Sequence, residues 1–314
     1  MRKYYFLITL LIIFSSSNQK NRTLSSKNCY SEISLILNYK GETNIFDYEK
    51  DFYYFPNKTI INGVIQDENT NIYVFENEEN NISLLWDYEF TNASYMFYYA
   101  DSITVIDFTN FDSSHINDMT GMFMRCNNLS SIIGLNHLDT KIVTSMELLF
   151  YKCYNLISID LSSFDTTSLV SMEDMFAFCT SLKSIDLSHL DTSKVTDMSF
   201  LFLNCTVLIS INFGNFNTSS VKNMESMFDS CFSITSIDLS NFDTSKVTDM
   251  SFLFYDCFEL KVINISNFNT SLVENIEAMF YDCKSLKSID LSTLDTSRVI
   301  NMSYLFHGCI ELLY

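Results

Sequence analysis

Ser181 to Cys205 reads SLKSIDLSHLDTSKVTDMSFLFLNC, and the order of residue types in this stretch returns along most of the chain. The cysteine place is filled by Cys126, Cys153, Cys179, Cys205, Cys231, Cys257, Cys283 and Cys309, separated by one interval of 27 residues and six of 26. A fixed period between about 20 and 50 residues marks a chain of stacked repeats, each too small to bury its own apolar face.

Counting from each cysteine as zero, the apolar places are +3, +6, +8, +11, +16, +19, +22 and +23. In the repeat opened by Cys179, Ile185 and Leu187 alternate with Ser184, Asp186 and Ser188, the period of two expected of a short strand with one face inward. Asp191-Thr-Ser193 is a turn signal, because short polar side chains bond nearby backbone groups. Val195, Met198, Leu201, Phe202 and Cys205 then fall at steps that suit one face of a short helix. The expected fold is an α/β repeat of strand, turn and helix, stacked as a solenoid with a parallel strand ladder.

The repeats extend over about residues 91–314, some nine in all with the last incomplete. In the first, Ala100 takes the cysteine place and every apolar position after it is kept, from Ile103 to Phe123. One insertion, near Gly134, predicts a bulged loop. Beyond Cys309 no polar cap is read, so the last repeat is expected to be uncovered, through a truncated coding sequence or a cap supplied by another molecule. Residues 19–90 lack the period. Thr59-Ile-Ile-Asn-Gly-Val-Ile65 and Asn71-Ile-Tyr-Val-Phe75 read as strands, with Asn62-Gly63 a turn. This region is expected to be a small β cap, with a separate binding module as the alternative. Residues 1–18, with Arg2 and Lys3, an apolar run from Tyr4 to Phe14 and three serines, have the layout of a secretory signal peptide.

The whole chain has 38 acidic and 19 basic residues, a formal charge of −19. Such a balance repels phosphate backbones and anionic lipid, which argues against nucleic acid and passive membrane binding. One proline and six glycines are too few for a turn-built sandwich or a glycine-rich phosphate loop.

The cysteine column is expected to consist of buried thiols, with bridging between adjacent repeats as the alternative. No Cys-x-x-Cys or histidine partner points to a metal. His115, His137, His189 and His307 fall on different repeats without a local nucleophile, so neither an enzyme nor a cofactor is expected. The outward strand position +7 carries Asp107, Asp160, Asp186, Asn212, Asp238, Asn264 and Asp290, the candidate ligand face. Stacked like charges repel, so the column has either a local bonding role with the flanking serines or a ligand such as a cation or basic partner. Position +12 alternates Asp and Asn, as a turn acceptor does.

The run MFxxCxSLxSIDLSxFDTSxVTDM, nearly whole from Met227 to Met250, resembles the BspA-like leucine-rich-repeat surface proteins. It is closest to their 26-residue surface-protein repeat, also met in mycoplasma lipoproteins and in microbial eukaryotes. The resemblance implies a leucine-rich-repeat-type fold and a secreted or cell-surface adhesion protein. An extracellular protein or glycan bound through the repeat surface is the expected partner. A structural coat or spacer without a specific ligand is the alternative.

Overall fold

The computed structural model describes residues 31–46, 54–66 and 72–313. The expected leader, residues 1–18, and Cys29 lie outside them. Eight strands come first: β1 (Ser31–Leu37), β2 (Gly41–Asn44), β3 (Lys58–Ile61), β4 (Val64–Ile65), β5 (Ile72–Phe75), β6 (Asn80–Trp86), β7 (Ile103–Asn110) and β8 (Ser131–Ile133). Six of them form one sheet in the order β4-β3-β6-β1-β7-β8, while β2 pairs with β5. The turn between β3 and β4 is Asn62-Gly63, with φ of 50° and 82°, and consecutive positive φ values are what a two-residue hairpin turn requires. Pairing is antiparallel from β4 through to β7 and becomes parallel between β7 and β8. Since β7 and β8 belong to the first two repeats, the N-terminal sheet passes into the repeat column without a break. Phe46, fully buried, stacks on Phe97 of the first repeat at 6.0 Å and joins the two cores.

Along the column the inward positions are inward as read: Ile185, Leu187, Leu190, Val195, Met198, Leu201, Phe202 and Cys205 are all buried. The phenylalanine at +23 stacks on its counterpart in the next repeat from end to end, as Phe202 does on Phe228 at 6.0 Å and Phe228 on Phe254 at 5.4 Å. The strands are short and paired in twos, β9 (Ser184–Asp186) with β10 (Ser210–Asn212) and β11 (Ser236–Asp238) with β12 (Val262–Asn264). An unbroken thread runs elsewhere. Asn92, Asp118, Ser145, Ser171, Asp197, Asn223, Asp249, Asn275 and Asn301, at +18 or, for Ser145 after the insertion, +19, form one series of parallel bridges.

The expected helix is absent: no α-helix occurs among the described residues, and the α/β reading is corrected to a column of strands and turns. Two residues in each repeat have left-handed backbone, at +21 and +25, such as Phe200 and Asn204 (φ 58° and 57°) or Ser226 and Ser230 (51° and 58°). A right-handed helix does not pass through such residues. Its hydrogen bonds are replaced by an alternation. Phe200, Phe202 and Asn204 donate their N–H groups to Glu225, Met227 and Asp229 of the next repeat, while Leu203 and Cys205 donate to residues three back. Half of the backbone bonds thus hold the turn and half hold the stack. Near Gly134 the insertion forms a single 3-10 turn, Leu135–His137.

Candidate ligand face

Every +7 candidate is held in the same local way. The side-chain oxygen of each accepts the backbone N–H two residues on: Asp107 from Thr109 (2.8 Å), Asp160 from Ser162 (2.9 Å), Asp186 from Ser188 (2.9 Å) and Asn212 from Gly214 (3.2 Å). Asp238, Asn264 and Asp290 do the same with Ser240, Ser266 and Ser292, at 3.0, 3.2 and 2.9 Å. This is the Asx turn, in which a short polar side chain ends a strand. It fixes each side chain in place and lowers the pKa of Asp160, Asp186, Asp238 and Asp290. The hydroxyl and N–H of Ser188 do this for Asp186, those of Ser162 for Asp160, and the N–H and then the hydroxyl of Ser240 for Asp238.

Adjacent members touch where an amide meets a carboxylate: Asn212 Nδ2 donates to Asp186 Oδ2 at 3.1 Å. The alternation of Asp with Asn therefore turns a repulsive neighbour into a donor. The column is interrupted at Ile133, which occupies the place between Asp107 and Asp160. Asp160, Asp186, Asn212, Asp238 and Asp290 are exposed, and Asp107 and Asn264 half-buried.

Two further Asx columns accompany it. At +12, Asp165, Asp191, Asn217 and Asp243 accept from Thr167, Ser193, Ser219 and Ser245 at 2.9 to 3.1 Å. At +18, the bridging residues Asp197, Asn223 and Asp249 accept from Ser199, Glu225 and Ser251 at 2.8 to 3.0 Å. The +18 column escapes sequence reading, although Asp or Asn followed two residues later by Ser or Glu recurs there as at +7. Beside the +12 turn, buried Thr192 donates to the Asn217 carbonyl at 2.9 Å and accepts the Asn217 N–H at 2.8 Å. Thr140, Thr166, Thr218, Thr244 and Thr270 each donate in the same way to the repeat that follows.

The eight cysteines of the column are free thiols, and all but Cys309 are buried. Each Sγ donates to a phenylalanine carbonyl of the preceding repeat, as Cys205 does to Phe176 at 3.2 Å. Burial pushes the Cys205 thiol up to about 12, which removes thiolate reactivity. Among the described residues no group of three or more His, Cys, Asp or Glu is placed to hold a metal ion. The four histidines are not brought together: His115 faces Glu89 at 3.7 Å, while His307 stacks on Tyr281 at 4.9 Å.

This geometry defines a protein of tandem stacked repeats whose polar corners are cut by Asx turns. The family model described as "Mycoplasma protein of unknown function, DUF285" matches residues 91–202, 128–236, 179–264 and 225–312. The chain belongs to that family. No curated protein matches it. Among solved structures it is similar to the functional domain of InlJ from Listeria monocytogenes, described as including a cysteine ladder. Identity there is 15% and the TM-score 0.20, over 57% of this chain and 45% of that one. The chain thus spans less than half the length of that structure.

Proposed function

We propose that the chain is an exported or cell-surface interaction protein of the BspA-like kind. On this reading it is a leucine-rich-repeat-type solenoid that binds an extracellular protein or glycan through its strand face. The observation that supports this is the column Asp160, Asp186, Asn212, Asp238, exposed and held at repeat spacing by turn bonds before any ligand arrives. Groups already fixed cost little ordering entropy on binding. The sequence of residues 1–18 supports export.

The test is a protein and glycan binding screen with the secreted chain, repeated with Asp160, Asp186, Asp238 and Asp290 all changed to Asn. The variant is expected to keep the fold, since Asn212 and Asn264 make the same turn bond, and to lose most of its binding. Equal binding by variant and parent, at low and high salt, removes the strand face from consideration. A second reading, a coat or spacer protein, is favoured by the use of one side-chain oxygen of every member within its own turn. It predicts no partner in the screen.

A further inference from the structure

Two clefts of about 450 Å³ each open on the strand face, three repeats apart. The first is lined by Ser131, Ile132, Leu135, Ile159, Asp160 and Ser162 among others, the second by Ser210, Ile211, Phe213, Ser236, Asp238 and Asn241 among others. Each lies just beyond a glycine that packs without clearance on the repeat before it. A Cβ on Gly134 would stand 2.6 Å from the Thr109 backbone nitrogen, and one on Gly214 2.3 Å from Ser188 Cβ. At the place of Gly214 other repeats carry Ser188, Ser240, Ser266 and Ser292.

The backbone is unpaired at both clefts: β8 pairs with β7 and β10 with β9, whereas no backbone hydrogen bond joins residues 130–136 to 156–163, or 209–216 to 234–242, as is also true of 260–268 and 286–294. In the second cleft Phe213 stands where neighbouring repeats have Leu187 and Leu239, and its half-buried ring meets Phe242 edge-on at 5.0 Å. The clefts are therefore built into the sequence, by a glycine in both and an added aromatic wall in one.

We propose that the two clefts are subsites for neutral sugar units of a single extended glycan lying along the strand face, an inference that rests on the ligand-face reading above. The lining is hydroxyl and amide, which both give and accept hydrogen bonds, over a floor of Ile, Leu and Phe. A pyranose presents the matching alternation of O–H edges and C–H faces. The unpaired strand edges add backbone donors and acceptors. No Lys, Arg or His lines either cleft among the described residues, and each holds one carboxylate, Asp160 or Asp238. That sign repels sulfated, phosphorylated or acidic glycans, and a single carboxylate over an apolar floor suits a hydroxyl better than a strongly basic peptide. The volume lies within the roughly 300–1,000 Å³ of small-ligand sites.

The test is titration calorimetry of the secreted chain with three neutral hexasaccharides: maltohexaose, cellohexaose and chitohexaose. At least one is expected to bind with a dissociation constant below about 10 mM, unchanged by salt because the ligand is uncharged. The double variant Phe213→Leu, Gly214→Ser, which restores the residues of neighbouring repeats, is expected to close the second cleft and weaken binding by about tenfold or more through loss of one subsite. Ser236→Trp fills the cleft without touching that contact and is expected to do the same, with circular dichroism and unfolding midpoints reporting on both folds. The proposal is overturned if no hexasaccharide binds, or if binding survives both folded variants unchanged. If the hexasaccharides fail while the four-Asn variant still loses its partner in the screen, the ligand-face reading stands and the neutral-glycan assignment falls.

Discussion

Lys152, which the insertion near Gly134 moves one residue on from the usual +25, has φ of 61°, a conformation that costs a residue with a Cβ roughly 1 to 2 kcal/mol and glycine almost nothing. The same place is glycine in the last repeat, Gly308, while Gly121 fills the other left-handed place, +21, in an earlier one. Lys152→Gly is therefore expected to be more stable than Lys152→Ala by about 1 kcal/mol. In a helix interior the order is reversed by a similar amount, about 0.8 to 1.0 kcal/mol. Urea unfolding of the two variants reads the sign directly, and an advantage for alanine would contradict the turn backbone. The remaining left-handed places are taken by residues as varied as Leu148, Asp174, Phe200 and Ser226, which explains why composition gave no warning of them.

At the scale of the turn, Thr192 is the joint between successive repeats, since one hydroxyl both donates to and accepts from Asn217. Thr192→Val keeps the shape and removes the hydroxyl from the Asn217 N–H and carbonyl, an expected loss of about 1 kcal/mol in chemical unfolding. Thr192→Ser should cost much less, because Ser113 makes the corresponding pair of bonds to Asp139. Equal losses for Val and Ser would assign the effect to the methyl group instead. The inward face of this element was legible in the sequence and its conformation was not. Val195, Met198, Leu201, Phe202 and Cys205 are spaced as on a helix, but successive turns closed by bonds three residues back bring the same residues inward. Periodicity reports which side chains face the core; it does not report whether a backbone N–H bonds within its repeat or to the next one. The candidate face shares this limit. The +7 column was found because strand alternation points it outward, whereas the +18 column and the threonine joint depend on contacts 25 or 26 residues away. The clefts depend on how Gly134 and Gly214 meet the preceding repeat, which no local pattern encodes.

Over the whole molecule, two sets of carboxyls pull stability in opposite directions with pH. Stacking puts acidic side chains of the long turn beside one another and partly out of water. Burial, then Glu173 and Asp197, raises Asp174 to about 7, and burial, opposed by the Ser230 hydroxyl and assisted by Asp256, raises Asp229 to about 6. Glu173 and Glu225 are raised mainly by burial as well. These groups hold protons more tightly in the folded chain than near their ordinary values of 3.8 and 4.5. Their stabilising contribution is complete below those values and is lost as pH rises through the folded pKa, which for Asp229 and Asp174 means about 6 to 7. The Asx carboxylates Asp165, Asp191, Asp243 and Asp295 are lowered by the hydroxyls and N–H groups of their turns. What they contribute is present above 3.8 and is lost as pH falls through their folded pKa. The two trends place the stability maximum on the acid side, at about pH 4 to 5, rather than near neutrality. Relief of self-repulsion in a chain of formal charge −19 acts in the same direction above that point. Asp174→Asn isolates the first trend: it is expected to raise the urea midpoint clearly more at pH 8 than at pH 5, because at pH 5 the folded carboxyl carries its proton while the unfolded one, with its ordinary value of 3.8, is already ionised. A midpoint that rises from pH 5 to pH 8 in the parent, or an Asn variant stabilised equally at both, would show that the stacked carboxyls ionise freely and that their crowding costs the column nothing.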